Sequence, residues 1–230
     1  SLAALDQLVF REKKVSMNDL LEALRKNFEG KEDLRQLLIN KAPKYGEDEE
    51  IADKYAQLVA KIYSEEVEKH RNVRGGWLIP GMYSVTTHIS FGYMTGALPS
   101  GRKAGEPISN GASPSIGSMR KGLTAAIKSV AKVDYGLYPN GIAFTLTLDP
   151  KIVSGEEGLD LLASLIKTYT ELGGMQIHFN VVDSQTLVAA QKCPEAYRNL
   201  IVRVAGYSAY FVDLAKDVQD EIIKRYQRGP

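Results

Sequence analysis

Near the end of the chain, residues 201–211 read IVRVAGYSAYF. The apolar run in this segment is cut by a single glycine, Gly206, and the aromatic residues Tyr207 and Tyr210 follow it closely. An amphipathic segment then occupies residues 212–226. On this local pattern alone, Gly206 indicates a bend or a left-handed backbone position that a side chain would strain. That interpretation requires no chemistry at the glycine.

Further motifs are spaced along the chain. These segments are GRKAGEP at 101–107, GGMQ at 173–176, FNVVD at 179–183, PEAY at 194–197, RVAGYS at 203–208 and QDEII at 219–223. In this order they resemble the motifs of the glycyl radical enzymes, the family of pyruvate formate-lyase and the radical dehydratases. A lone RVxGY would be a weak match, whereas several motifs in the right order make the resemblance specific. The resemblance covers at least residues 73–226.

The resemblance implies that Gly206 stores a carbon-centred radical. Loss of an α-hydrogen from a peptide glycine leaves an unpaired electron that the amide nitrogen and the adjacent carbonyl share once the centre is planar. A side chain would crowd that planar centre, so glycine suits the task for a reason separate from turn geometry. The family's hydrogen abstractor is a deoxyadenosyl radical, which a separate iron–sulfur activating enzyme makes from S-adenosylmethionine. The implied cofactor is therefore a post-translational glycyl radical, with no bound metal.

Composition describes an ordinary globular protein, with 44% hydrophobic and 25% charged residues. The net charge of +1 gives no electrostatic reason to expect nucleic acid or an anionic membrane as a partner. No apolar run approaches the roughly 20 residues that span a bilayer, and the first residues lack a secretory-signal pattern. The single cysteine fits a reducing compartment. We therefore expect a cytoplasmic protein, and the serine at position 1 indicates a segment of a longer chain.

The first third of the chain is predicted to be helical. Residues 1–72 carry apolar positions at helical spacing, with a capping start at Ser16. Residues 83–93 are rich in β-branched and aromatic side chains and are predicted to form a strand. The Gly-, Pro- and Ser-rich segment 95–117 is predicted to be an ordered loop. The clearest helical stripe consists of Ile51, Tyr55, Leu58, Val59 and Ile62.

Strands and helices are predicted to alternate after residue 120, which favours α/β architecture with parallel neighbouring strands. The resemblance implies that the chain is the C-terminal part of a ten-stranded α/β barrel of the glycyl radical enzyme type, with an N-terminal helical segment. Residues 1–100 would form the helical segment and the end of the lyase barrel domain, and residues 101–230 the glycine radical domain. The expected elements are a helix at 121–131, a strand at 142–148, a capped helix from Ser154 to Gly173, a strand at 176–181, a helix at 184–191 and a strand leading into Gly206.

The only cysteine, Cys193, is not predicted to be catalytic. The family pairs its storage glycine with a cysteine on an opposing loop, whose thiyl radical attacks the substrate. Cys193 lies in AQKCPE, without the residues that surround that cysteine, and the family's cysteine loop precedes every motif found here. The resemblance therefore implies that the catalytic cysteine lies in the remainder of the lyase barrel, outside this chain.

Several residues are predicted to support the radical loop. Arg203 anchors the loop or meets a carboxylate of the absent portion; a surface salt bridge is an equally weighted alternative. Tyr207 and Tyr210 are interpreted as shields of the radical against dioxygen or as core aromatics, and the two interpretations are compatible. Gln176, His178 and Asn180 share one strand face, with about 7 Å between successive members. The motif matches favour an interior position for Gln176 and Asn180 over a solvent-facing one, and His178 gains no support from them.

We interpret the chain as the radical-bearing portion of an oxygen-sensitive lyase of anaerobic metabolism that cleaves a C–O, C–N or C–C bond of a small molecule. AGYSA at 205–209 resembles the dehydratase and eliminase branch, such as glycerol or diol dehydratases, more than formate acetyltransferase. Two alternatives stay open: a stand-alone subunit that restores a damaged lyase, and a radical-dead relative that serves as an interaction module. The expected partners are the activating enzyme, the rest of the barrel and a second copy in a homodimer.

Overall fold

The structure of the protein, a computed structural model, describes residues 1–226. Helix α1 at Leu2–Ala4 continues as a π-helical segment at Leu5–Arg11. The further helices are α2 at Met17–Arg25, α3 at Glu32–Lys41, α4 at Glu50–Glu68, α5 at Thr87–Met94, α6 at Leu123–Ala131, α7 at Gly155–Glu171, α8 at Ser184–Lys192 and α9 at Lys216–Lys224. The strands are β1 at Phe144–Leu148, β2 at Ile177–Val181, β3 at Ile201–Arg203 and β4 at Ser208–Tyr210. Single 3-10 turns lie at Tyr135–Leu137, Pro194–Tyr197 and Phe211–Asp213.

The strands form two separate pairs within residues 1–226. β1 and β2 are parallel, with Phe144 opposite Ile177, and helix α7 makes the crossover that parallel neighbours require. β3 and β4 are antiparallel, with Arg203 opposite Ser208. The predicted α/β class and the parallel pair are confirmed, whereas these two sheets do not confirm the ten-stranded barrel.

The largest apolar cluster surrounds β1, whose five residues are all buried. Phe144 and Leu146 pack with Ile127 of α6 and with Leu165 and Tyr169 of α7. A strand of a parallel pair that is covered on both faces is expected to be continuously buried rather than alternating. This cluster therefore fixes the position of β2, which pairs with β1 along its full length.

A second apolar cluster packs the β3–β4 hairpin against three helices. Val202 and Val204 on the hairpin contact Ile89 of α5, Leu187 of α8 and Ile222 of α9, and each of these side chains is at most 3% exposed. A third cluster, around Leu8, Leu20 and Leu38, joins the N-terminal helices. The hairpin is therefore anchored from its inner side by α5, α8 and α9.

The predicted strand at 83–93 is wrong, because this segment forms helix α5. Val85 has a positive φ of 53°, which interrupts any extended run. From there the buried positions His88, Ile89 and Gly92 follow helical rather than alternating spacing. β propensity largely reflects the environment of a side chain, and here the packing of α5 on the hairpin overrides it.

The apolar stripe confirms α4 as a helix, but only its first two members, Ile51 and Tyr55, are half-buried and the other three are exposed. Leu58, Val59 and Ile62 are 45%, 51% and 56% exposed. The packed side instead carries the small residues Ala60 and Ser64, and close approach lets the Ser64 hydroxyl donate to a backbone carbonyl at 3.0 Å. Periodicity correctly predicts the helix, but small residues decide which of its faces packs.

Helix ends agree with the predictions only in part. Ser16 caps α2 as predicted, because its hydroxyl accepts the Asp19 backbone N–H at 3.0 Å. Ser154 precedes α7, but its hydroxyl donates to the carbonyl of Lys151 at 3.0 Å, so the predicted capping box does not form. The amphipathic segment 212–226 is helical only at α9, after a 3-10 turn.

The packing of α5 yields a stability prediction at Gly92. A Cβ there would lie 2.4 Å from the Glu106 carbonyl oxygen and 2.7 Å from Pro107 Cα, both backbone atoms. Alanine normally stabilises a helix over glycine by about 1 kcal/mol. We expect Gly92→Ala to destabilise instead, by roughly 1–3 kcal/mol, because the clash outweighs that gain. Urea denaturation measures the effect.

Gly96→Ala is the matched control, since a Cβ at Gly96 meets nothing within 4 Å. Its effect should stay within about 0.5 kcal/mol. Equal stability of the two variants would contradict the packing described for α5.

Candidate functional site

Gly206 lies in the turn that joins β3 to β4, and the predicted strand ends before it, at Arg203. The Val204 N–H donates to the Tyr207 carbonyl across the turn at 2.9 Å. Gly206 has a φ of +88°, and a Cβ added to it would meet nothing within 4 Å. The backbone conformation therefore favours glycine, while the α-carbon is exposed and open to approach from outside.

The Arg203 guanidinium folds back over the turn. Its Nη2 donates to the Gly206 carbonyl at 3.0 Å and approaches Nε2 of His178 at 3.1 Å. Its Nη1 donates to the Ser208 hydroxyl at 3.3 Å. These partners are all uncharged, so the surface salt bridge that the sequence left open is not the interaction observed. The positive charge of Arg203 is therefore directed at the carbonyl of Gly206.

His178 supports Arg203 from β2, although sequence motifs gave no reason to select it. The Gln176 amide lies 2.7 Å from the same Nε2 that Arg203 approaches. A guanidinium only donates, so Nε2 must accept, and the network assigns the imidazole proton to Nδ1. Burial, followed by the charge of Arg203, lowers the pKa of His178 below its ordinary value of 6.5. The ring is therefore neutral at pH 7.

Asn180, two residues further along β2, pairs with the backbone of Arg203. Its side-chain oxygen accepts the Arg203 N–H at 2.8 Å, and its amide nitrogen donates to the Arg203 carbonyl at 2.7 Å. Asn180 is 2% exposed, as its predicted interior position requires, whereas Gln176 is exposed. This double hydrogen bond joins β2 to β3 directly ahead of the turn.

The carbonyl of Val204 accepts hydrogen bonds from two further side chains, which the sequence analysis missed. Arg225, just after α9, donates through Nη1 at 2.7 Å, and Asn110 donates through Nδ2 at 3.3 Å. Asn110 and Val204 lie 94 positions apart, so no local pattern pairs them. The available signal was indirect: Arg225 closely follows QDEII, one of the recognised motifs.

The aromatic residues and the cysteine lie at the periphery of the site. Tyr207 and Tyr210 are 37% and 47% exposed, so the interpretation as core aromatics is wrong within this chain. Cys193 is exposed at the end of α8. Among residues 1–226, no three His, Cys, Asp or Glu side chains converge as metal ligands. No helix in that described range has the length and apolarity that a membrane crossing requires.

Two family models match this chain. Residues 1–92 match the pyruvate formate lyase-like family, and residues 108–212, which include the turn, match the glycine radical family. Among curated proteins, trans-4-hydroxy-L-proline dehydratase of Clostridioides difficile is 44% identical over 99% of this chain and 29% of its own length. Isethionate sulfite-lyase of Nitratidesulfovibrio vulgaris is 43% identical over 98% of this chain and 27% of its own length.

Solved structures agree with these matches. The glycerol-bound B12-independent glycerol dehydratase of Clostridium butyricum superposes with a TM-score of 0.94 at 44% identity, over 98% of this chain and 28% of that one. A glycyl radical enzyme of Archaeoglobus fulgidus superposes with a TM-score of 0.91 at 48% identity, over 97% of this chain and 28% of that one. The chain thus spans less than a third of the length of these relatives. It belongs to the glycyl radical enzyme family.

Proposed function

We propose that Gly206 stores a glycyl radical that starts a lyase or dehydratase reaction on a small hydroxylated substrate. The observation that carries the proposal is the open turn itself. Gly206 has a φ of +88° and nothing lies within 4 Å of a Cβ added to it, and it belongs to the segment that matches the glycine radical family. The names of several relatives support the substrate class, since they act on hydroxyproline, glycerol and 1,2-propanediol. When present, the radical supplies a hydrogen-abstracting centre.

The role proposed for Arg203 is electronic as well as positional. A glycyl radical is stabilised by sharing its spin between the amide nitrogen and the adjacent carbonyl. The Arg203 guanidinium donates to that carbonyl at 3.0 Å, and a charged donor makes the carbonyl a stronger electron acceptor. His178 and Gln176 hold Arg203 in this position, and Asn180 holds its backbone. Tyr207, next to Gly206, is proposed to limit the access of dioxygen.

The remainder of the enzyme is proposed to supply the barrel and the cysteine loop that faces Gly206. Exposed apolar patches often mark interfaces, and α4 exposes Leu58, Val59 and Ile62 while α7 exposes Leu159 and Ile166. These surfaces support the proposal that the rest of a ten-stranded barrel packs on this portion.

The activating enzyme that uses S-adenosylmethionine, a homodimer and a cytoplasmic location also remain proposals. So does the domain boundary at residue 100, which the separate family matches at 1–92 and 108–212 support. The proposed reaction and the role of the activating enzyme depend on activation of Gly206 in this protein.

Activation of the full-length enzyme under anaerobic conditions tests the radical directly. Incubation with an activating enzyme, S-adenosylmethionine and reductant is expected to produce a glycine-type doublet in electron paramagnetic resonance. Gly206→Ala should abolish the doublet and the activity. Gly122→Ala is the matched control, because Gly122 has the same φ of +88° and equally open space around a Cβ. A doublet that persists in Gly206→Ala would place the radical elsewhere.

The spectrum of the same radical tests Arg203. Arg203→Gln is expected to widen the α-proton splitting, because less spin leaves the α-carbon when the Gly206 carbonyl loses its charged donor. Arg198→Gln serves as the control, since the Arg198 side chain is 70% exposed and pairs with Glu195 outside the turn. An unchanged splitting in Arg203→Gln would exclude the electronic role.

The lowered pKa of His178 predicts a stability change with pH. The unfolded chain binds the His178 proton more tightly than the folded one, so acid favours unfolding. The free energy of unfolding is expected to fall as the pH drops below 6.5, the ordinary histidine value, and on toward the lowered folded-state pKa. His178→Gln should remove this part of the dependence in denaturation curves recorded as the pH falls below 6.5. A pH dependence as steep in His178→Gln as in the natural chain would refute the assignment.

A further inference from the structure

A closed ring of polar groups lies beneath the Gly206 turn, and the proposed radical chemistry does not use most of it. The ring joins α5 and the segment before it, the 95–117 loop, the turn after β3, and α9 with the residue that follows it. Three of its side chains, those of His88, Asn110 and Glu221, are at most 6% exposed. Its members, in order, are Ser84, His88, Glu221, Arg225, the Val204 carbonyl and Asn110.

The ion pair of Glu221 and Arg225 is the strongest link of the ring. Nε of Arg225 donates to Oε1 of Glu221 at 2.9 Å and Nη2 donates to Oε2 at 2.5 Å, so the pair is bidentate. The two side chains are 3% and 9% exposed. Burial opposes ionisation of Glu221, but the neighbouring imidazole of His88 and guanidinium of Arg225 outweigh burial and lower the pKa of that carboxyl. The carboxylate therefore holds the guanidinium in one orientation.

The other side of the ring orients Asn110. The Ser84 hydroxyl lies 3.0 Å from Nδ1 of His88 and donates to Oδ1 of Asn110 at 2.8 Å. The Nδ2 group of Asn110 is thereby directed at the Val204 carbonyl. Nε2 of His88 lies 3.5 Å from Oε1 of Glu221, a contact without a hydrogen bond, and this contact closes the ring. Both donors to Val204 are thus held by neighbours of their own.

The motif QDEII contributes to both ends of the hairpin. Glu221 acts before the turn, through Arg225 and Val204. Gln219 acts after it, since its amide nitrogen donates to the carbonyls of Phe211 at 3.1 Å and Leu214 at 2.9 Å. The single helix α9 therefore carries side chains that hold the segments entering and leaving the turn. This gives a physical reason for a motif more than ten residues beyond Gly206.

We propose that α9 holds the Gly206 hairpin in place, with Arg225 and Asn110 as positioning residues that act through the Val204 carbonyl. We call these two hydrogen bonds to Val204 the lock. Glu221 and His88 keep Arg225 in the orientation that the lock requires. The turn beyond residue 204 is held by one backbone hydrogen bond and by Arg203, so the lock sets how often the hairpin that carries Gly206 opens. Its effect on radical lifetime rests on the proposed function, whereas its effect on hairpin mobility does not.

Hydrogen exchange of the full-length enzyme, read by mass spectrometry, tests the lock without any radical. Arg225→Gln is expected to accelerate exchange in the 201–210 peptide about tenfold or more, because opening of the hairpin costs less when the ring is broken. Arg225→Lys keeps a cationic donor, so the exchange rate of its 201–210 peptide should lie between that of Arg225→Gln and that of the natural chain. Arg120→Gln is the matched control: Arg120 pairs with buried Glu47 at 2.9 Å, away from the hairpin.

Asn110→Ala keeps the test decisive if Arg225→Gln does not fold. It removes one of the two donors to Val204 and leaves the ion pair of α9 intact, so exchange in 201–210 should rise severalfold. Exchange at the rate of the natural chain in either folded variant, or equal acceleration in Arg120→Gln, would overturn the proposal.

Decay of the electron paramagnetic resonance doublet at a fixed dioxygen concentration provides the functional measurement. The radical of Arg225→Gln is expected to decay severalfold faster than that of the natural chain or of Arg120→Gln. Absence of a doublet in the natural chain would refute the proposed function. The lock would then still be tested by the hydrogen-exchange measurement, which needs no radical. A normal doublet that decays equally in all three proteins would overturn control of radical lifetime by α9.

Discussion

A residue without a side chain can be held in place only through backbone, and the whole site depends on that constraint. The turn at Gly206 is fixed by hydrogen bonds from side chains to the backbone of the residues before it. Asn180 binds both polar groups of the Arg203 peptide backbone, and Arg225 and Asn110 share the carbonyl of Val204. A buried carbonyl that loses such partners costs about 1–3 kcal/mol. The inner side of the hairpin is therefore rigid, and its outer side is open.

This arrangement suits a position that must be both precisely held and chemically accessible. On the inner side, the Arg203 guanidinium lies against the neutral ring of His178 rather than against a carboxylate. An anion there would neutralise the cation, whereas a neutral acceptor leaves its charge directed at the Gly206 carbonyl. The outer side leaves the α-carbon unobstructed. Burial of His178 therefore contributes to the electrostatics of the turn, because it keeps the ring uncharged.

The failures of prediction have identifiable physical causes. The segment that forms α5 reads as a strand because β-branched and aromatic residues dominate it, yet its buried positions follow helical spacing once it packs on the hairpin. On α4, large apolar residues suggested the packed face, but Ala60 and Ser64 allow the closer approach and are the ones buried. His178 was set aside because motifs are read along the chain, and its partner Arg203 lies 25 positions away.

The sequence alone determined the family, the glycine at the turn, the alternation that forms the β1–β2 pair and the interior position of Asn180. Those features depend on local residue type, on spacing and on motif order, which a linear chain carries in full. Only the tertiary structure decided which side chains meet at the turn. Arg225, Asn110 and His178 come from separate segments, and their convergence depends on how α9, the 95–117 loop and β2 pack together, since each side chain acquires its partner only when the core brings the segments into contact.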